Sequence, residues 1–298
     1  MGLFSFFTKE IAIDLGTANT VILHNNQVVV DEPSIIAIDT QTKTVKAVGK
    51  KALMMEGRTP AGIITKRPLR DGVIADFQST EMMLREFIKM TGNKGYFFNP
   101  SLKMVICIPS GITEVEERAV RDSAEQAGAK DVRMIHEPMA AAIGIGIDVL
   151  DANGNMVIDI GGGTSEIAVI ALGGITTSTS VKVAGDRFNS DIIDYMRKTH
   201  NIAIGVATAE QIKINVGSAL EDIENPPAEY EVYGRDLVRG IPVAVKVSHR
   251  EIAQALDRSI ALIETAVNNA LEKTPPELSA DIYKTGIYLA GGGSLLRG

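Results

Sequence analysis

Strand-like and helix-like patterns alternate along the chain. EIAIDLG (10–16) reads as a buried strand that ends in a turn. VILHNNQVVVDEP (21–33) reads as a β-hairpin with Asn25-Asn26 at its tip. Residues 34–75 are mixed and weakly periodic, as in a small inserted subdomain. STEMMLREFIKM (79–90) predicts a helix with Met82, Met83, Phe87 and Met90 on or near one face. KMVICIP (103–109) is a strand. TEVEERAVRDSAEQAG (113–128) predicts a helix with Thr113 as N-cap, acids in its first turn and a stop at Gly128. VRMI (132–135) is another strand, and PMAAAIGIG (138–146) a short helix of small residues. Residues 186–218 read as helical, 228–247 as a strand pair, and 248–273 as a long helix opened by Ser248. GIYLAGGGSLLRG (286–298) is strand, Gly-rich turn and helix start. This alternation predicts an α/β fold.

One design occurs twice. I-D-L-G-T-A-N-T (13–20) and I-D-I-G-G-G-T-S (158–165) share a strand, an Asp, a Gly-containing turn, a hydroxyl residue and the start of a second strand. The two lie about one domain apart. We read two similar halves whose turns face a common cleft: a first domain over 1–145 with an insert at about 33–75, and a second over 146–298 with an insert at about 182–246. No low-complexity linker separates them.

The length of 298 residues suits two such domains. A net charge of -7 argues against general nucleic-acid binding. The single cysteine, Cys107, excludes a disulfide framework, fits a reducing cytoplasm and, lying in an apolar strand, reads as a core residue. His24, His136, His200 and His249 show no metal-ligand spacing, and His136-Glu137 does not open an HExxH motif because position 140 is Ala. No run of about 18 apolar residues spans a membrane. The N-terminal MGLFSFFTKE lacks the marks of a secretory signal, and Phe6 breaks the myristoylation pattern.

A Gly-rich turn after a strand brings backbone N–H groups close to a ligand, and such clusters suit phosphate. GGGT alone is more often just a tight turn. Each Asp alone can be a turn or cap residue. Two matched Asp turns and a third Gly-rich turn point instead to carboxylates holding Mg²⁺, through its water shell, beside a polyphosphate.

The motifs resemble those of the MreB family of bacterial actin-like proteins, within the actin, sugar-kinase and DnaK-type chaperone superfamily. IAIDLGTANT is similar to the first phosphate motif, NMVIDIGGGTSEIAVI to the second, GIYLAGGGSLLRG to the adenosine motif and IHEPMAAAIGIG to the connecting segment. The resemblance runs from about residue 10 to 298 and implies duplicated actin-like (ribonuclease-H-like) domains around an ATP cleft. It implies that Gly16, Thr17, Ala18 and Asn19 cradle the phosphates from one side, and Gly161, Gly162, Gly163 and Thr164 from the other. Asp14 and Asp159 would hold hydrated Mg²⁺. Glu137 would orient or deprotonate the attacking water, with Thr164 beside it as the second catalytic candidate. On its own, Glu137 reads as an acid at a helix N-terminus. Gly185, Asp186, Glu210 and Lys213 would lie at the ribose and adenine, although Glu210 and Lys213 also read as an exposed helical pair. Gly291, Gly292, Gly293 and Ser294 would border the adenine. Family members continue past this point with a segment that returns to the first domain, whereas the chain here ends at Gly298.

The function implied is an ATPase whose filaments organise cell-wall synthesis and maintain rod shape, with itself and cell-wall elongation proteins as partners. A chaperone ATPase would need a substrate-binding domain, and a small-molecule kinase a catalytic carboxylate facing a substrate pocket. The resemblance also implies a cytoplasmic protein docked on the inner face of the membrane. Five of the eight Phe fall in two short segments, Phe4, Phe6 and Phe7 near Leu3, and Phe97 and Phe98 in a Gly/Pro-flanked loop. Packing on the protein's own core is the plain alternative, above all for Tyr96, Phe97 and Phe98; apolar insertion of Leu3, Phe4, Phe6 and Phe7, with Phe97 and Phe98 as a second contact, would supply the docking.

Overall fold

The computed structural model describes residues 8–92 and 101–298. The aromatic residues expected to dock on a membrane, with Leu3, lie outside them. The first half opens with β1 (Thr8–Leu15), β2 (Asn19–His24) and β3 (Gln27–Pro33). It continues through β4 (Ile36–Asp39), β5 (Val45–Val48), α1 (Gly49–Met55), β6 (Ile63–Lys66), β7 (Leu69–Arg70), β8 (Val73–Ile74) and α2 (Phe77–Met90). It closes with β9 (Ser101–Ile108), α3 (Glu114–Gln126), β10 (Ala129–His136) and α4 (Glu137–Ile145). The second half runs β11 (Asn155–Ile160), β12 (Ser165–Ala171), β13 (Gly174–Val181), α5 (Gly185–Thr199), β14 (Ile202–Ala203), α6 (Val206–Val216), β15 (Tyr230–Asp236), β16 (Pro242–Val247), α7 (His249–Glu272), α8 (Pro276–Thr285) and β17 (Ile287–Ala290). A 3-10 turn, Gly292–Leu295, follows.

The two main sheets repeat one plan. In the first, the antiparallel meander β1-β2-β3 is extended by β9, parallel to β1, and then by β10. In the second, the antiparallel meander β11-β12-β13 is extended by β17, parallel to β11. Smaller sheets, β5-β4-β6 and β14-β15-β16, belong to the segments inserted between these strands.

Local chemistry accounts for the element ends. Asn25 and Asn26 both adopt positive φ (53° and 59°), the conformation a two-residue type I′ hairpin turn requires and Asn tolerates. Thr113 and Ser248 open α3 and α7 with reciprocal capping boxes to Glu116 and Glu251. Helix α2 begins before the expected position because the Asp76 carboxylate accepts the Ser79 N–H at 3.0 Å. On that helix Met83 and Phe87 are buried, while Met90 is exposed. The segment read as helical over 186–218 is two helices, interrupted at β14, where Ile202 and Ala203 pair with Asp236 and Arg235. Tertiary pairing overrides local helical pattern there.

Ile11, Ile13, Ile22, Leu84, Phe87, Met104 and Ile106 anchor the first core. The second half has two cores joined by α7: Ile252 and Leu256 pack with α5, α6 and the small sheet, and Ala266 and Ala270 pack on β11 and β12.

Candidate nucleotide cleft

The matched turns meet where β1 and β11 end. Ser34 backs the first turn: its N–H donates to the Ala18 carbonyl (2.8 Å) and its hydroxyl to the Gly16 carbonyl (2.6 Å). The second turn closes through the Gly161 N–H to the Thr164 carbonyl (3.0 Å). Helix α5 backs it, with Gly185 and Asp186 N–H groups donating to the Gly161 and Gly162 carbonyls (3.1 and 2.8 Å). Glycine is a geometric requirement between the turns. A Cβ on Gly162 would stand 2.6 Å from the Ala18 Cβ, and one on Gly163 2.6 Å from the Thr17 hydroxyl. Small residues let the two backbones approach, as phosphate cradles need. Asn19 begins β2 at the outer edge of the first turn.

Three carboxylates converge behind the turns: Asp14 on β1, Asp159 on β11 and Glu137 at the first position of α4. Asp14 keeps surface open to the cleft yet is crowded by protein, and that desolvation raises its pKa. Desolvation is also the main cause of the rise of Asp159 to about 6, with the charges of Asp14 and Glu166 adding to it. For Glu137 desolvation, then Asp14, Glu166 and Asp159, push the value to about 9. No Lys or Arg offsets these shifts. Cys107 sits beside the same charges, half-buried and with its thiol pushed up to about 12, so it borders the cleft instead of lying in the core.

This donor set fits a hydrated divalent cation. The oxygens are hard, negatively charged and mutually repelling, which Mg²⁺ relieves while keeping several waters. Among the described residues no three His, Cys, Asp or Glu side chains are arranged to hold a metal directly.

The nucleoside-side residues gather on α5 and α6. Lys213 Nζ donates to Glu210 Oε2 (2.8 Å) and to the Gly185 carbonyl (3.2 Å), and Asn189 donates to the same Glu210 oxygen (2.7 Å). Lys213 is mostly buried, so the pair is built into the structure and is not a solvated surface pair. Desolvation raises the pKa of Asp186, opposed by the charges of Arg67 and Lys213. The third Gly-rich turn packs against Asp159: a Cβ on Gly291, at φ 77°, would strike the Asp159 carboxylate and the Ile160 carbonyl, and one on Gly293 the Ile160 side chain. Gly292 faces open space. The Ser294 hydroxyl turns inward to the Gly291 carbonyl (2.7 Å), so it braces this turn. A separate recess of 530 Å³ lies between Ala219–Glu221 and α7, but it presents the acids Glu221 and Asp257 and suits no polyphosphate.

Sequence reasoning missed Glu166 and the 67–72 loop. Glu166 is buried and stands directly opposite Asp159 in the β11–β12 register, so counting back from the turn locates it. The loop sits over both phosphate turns: the Gly72 N–H donates to the Thr17 hydroxyl (3.0 Å), and a Cβ on Gly72 would lie 3.0 Å from the Thr164 methyl. Nothing in its local pattern marks that position.

Comparison with known proteins agrees with the architecture. The MreB/Mbl protein family matches residues 8–298. The cell shape-determining protein MreB of Escherichia coli strain K12 is 49% identical over 296 residues, covering 98% of this chain and 84% of that protein. The cell shape-determining protein Mbl of Bacillus subtilis strain 168 is 47% identical over 293 residues, covering 98% and 87%. Among solved structures, MreB5 of Spiroplasma citri bound to AMPPNP superposes with a TM-score of 0.90 at 40% identity, covering 97% of this chain and 86% of that one. The MamK double helical filament, at 21% identity and TM-score 0.80, shares the fold. The chain is therefore a member of the MreB/Mbl family of actin-like proteins.

Proposed function

We propose that the chain is an ATPase of the cell-shape cytoskeleton, in which ATP favours filament assembly and hydrolysis weakens it. One observation carries the reading: two glycine turns in contact across the cleft, with Asp14, Asp159 and Glu137 converging behind them. The Spiroplasma relative has been captured with both AMPPNP and ADP, and the curated relatives are cell shape-determining proteins.

In this reading the amides of Gly16–Asn19 and Gly161–Thr164 bind the phosphates. Asp14 and Asp159 would hold a hydrated Mg²⁺, which would supply positive charge against the polyphosphate. Gly185, Asp186, Glu210 and Lys213 take the ribose and adenine edge, with Gly291–Gly293 on the other side. Glu137 orients the attacking water and receives its proton, with Thr164 as the second catalytic candidate. Protonated, Glu137 is no base. Positive charge beside Asp14 and Asp159 would lower its pKa by offsetting their share of a rise whose largest cause is desolvation. Filaments of such subunits would organise cell-wall synthesis on the inner face of the membrane. No helix among the described residues is long and apolar enough to cross a membrane, so docking would rest on Leu3, Phe4, Phe6 and Phe7, with Phe97 and Phe98 as a second contact.

The test is ATP-dependent sedimentation together with phosphate release, with and without lipid vesicles. The parent should pellet above a critical concentration and release phosphate. Asp159→Ala should lower Mg-ATP affinity about 10–100-fold, the scale for losing an outer-shell metal partner. Equal affinity and turnover in parent and variant would refute the site. A variant without residues 1–7 and with Phe97→Ser and Phe98→Ser should polymerise but leave the vesicles.

A further inference from the structure

Glu166 has a position that the nucleotide reading leaves unused. It is 1% exposed, at the second residue of β12. Its carboxylate reaches in two directions. Oε1 accepts the Ser180 hydroxyl at 2.5 Å, from the residue directly opposite on β13. Oε2 accepts the Ser110 N–H at 3.0 Å, from the loop after β9 in the first half. Among the described residues, apart from the turn where α4 ends and the chain passes between halves, this is the one hydrogen bond joining 1–145 to 146–298. Apart from this bond the halves meet by packing, between the turns and between α4 and the β11–β12 strands.

The surroundings make the bond structural. Asp159, Glu166 and Ser180 stand in one row across three strands. Gly111, next to the bonded Ser110, lies close enough to Ser180 that a Cβ would stand 3.3 Å from the Ser180 Cβ. Pro109, on the other side of Ser110, packs toward Gly72 of the loop over the turns. Glu166 accepts the Ser110 backbone N–H, while the buried Ser110 hydroxyl has no partner among the described residues. A buried carboxylate that accepts two hydrogen bonds holds both donors in fixed places, because releasing either leaves it unsatisfied.

We propose that Glu166 is a positioning residue, a strut across the cleft floor that fixes the Pro109–Gly111 loop of the first half against β12 and β13 of the second. It sets how far the two halves close and so where Glu137, carried by the first half, stands relative to Thr164, carried by the second. The proposal rests on the nucleotide-cleft reading for its catalytic consequence, but the strut itself is a statement about geometry.

The test separates the two. Spin labels at Lys51→Cys, on exposed α1, and Val238→Cys, on the exposed β15–β16 hairpin, report the distance between the halves. Cys107 labels poorly because its thiol stays protonated. With AMPPNP and Mg²⁺ the parent should give one narrow distance distribution. Glu166→Ala should broaden it and reduce turnover about 10²-fold, the scale for misplacing a reacting group by an ångström, with nucleotide affinity changed far less. Glu166→Gln keeps an acceptor for Ser110 and a donor for Ser180, so it should restore both the narrow distribution and most of the turnover. If Glu166→Ala does not fold, Glu166→Met keeps the side-chain volume, removes both acceptor oxygens and should give the same broadening. A parent-like distribution in Glu166→Ala, or in Glu166→Met where that variant stands in, overturns the strut. So does a Glu166→Gln that behaves like Glu166→Ala. A parent that binds no nucleotide overturns the cleft reading instead, and the distance measurement without nucleotide still decides the strut.

Discussion

Gly162 lies against Ala18: a side chain on the glycine would stand 2.6 Å from the Ala18 Cβ and 2.9 Å from its amide nitrogen. The two halves therefore touch through a residue pair that tolerates no added methyl group. Gly162→Ala should force the turns apart. Overpacking costs about 1–3 kcal/mol, which corresponds to about a 5- to 150-fold loss of nucleotide affinity. Titration with a fluorescent ATP analogue checks it, and an unchanged affinity in a folded variant would count against the close approach.

Glu137→Ala should separate binding from chemistry. Nucleotide affinity should persist, while hydrolysis falls about 10²–10⁴-fold, the usual cost of losing a general base. Filaments formed with ATP should then outlast those of the parent by light scattering. A variant that hydrolyses at the parent rate removes Glu137 from the mechanism.

The raised carboxylates give a pH signature in the nucleotide-free protein. Glu137 and Asp159 titrate near 9 and 6 when folded, against 4.5 and 3.8 in the unfolded chain. Between those values the folded state binds more protons, so their contribution to stability is full below about pH 4 and is lost as pH rises toward 9. The melting temperature of Glu137→Gln should exceed that of the parent by a margin that grows from pH 5 to pH 8.5. Saturating Mg²⁺ and ATP should shrink the margin. A constant difference across that range is the contrary result.

Ser248 caps α7 through its hydroxyl and shares the Glu251 carboxylate in return. Ser248→Ala should cost about 0.5–2 kcal/mol, lowering the melting temperature by about 2–4 °C per kcal/mol for a chain of this size. Calorimetry reads it directly, and Ser248→Asp should recover most of the loss.

Much of this was legible before the structure. The Asn25-Asn26 turn and the Thr113 and Ser248 caps are local chemistry, decided by neighbours in sequence, and all three form as their residues require. The repeated strand-Asp-turn design marks the sheets' duplicated plan for the same reason. The break at Ile202 was not legible, because it is set by Asp236 and Arg235 from a distant strand. Cys107 was misjudged because alternation along β9 records burial but not the charged neighbours brought by β1 and α4. The 67–72 loop reaches the cleft only through tertiary folding, and a lone Gly72 carries no signal of where it lands.

Helix α7 belongs to two cores at once, its first turns buried against the small sheet and its last against β11 and β12. Twenty-four residues make a rod about 36 Å long. One rod thus ties the two cores of the second half together, so that they would turn as a unit. A rotation of about 5° would carry the far end of such a rod about 3 Å.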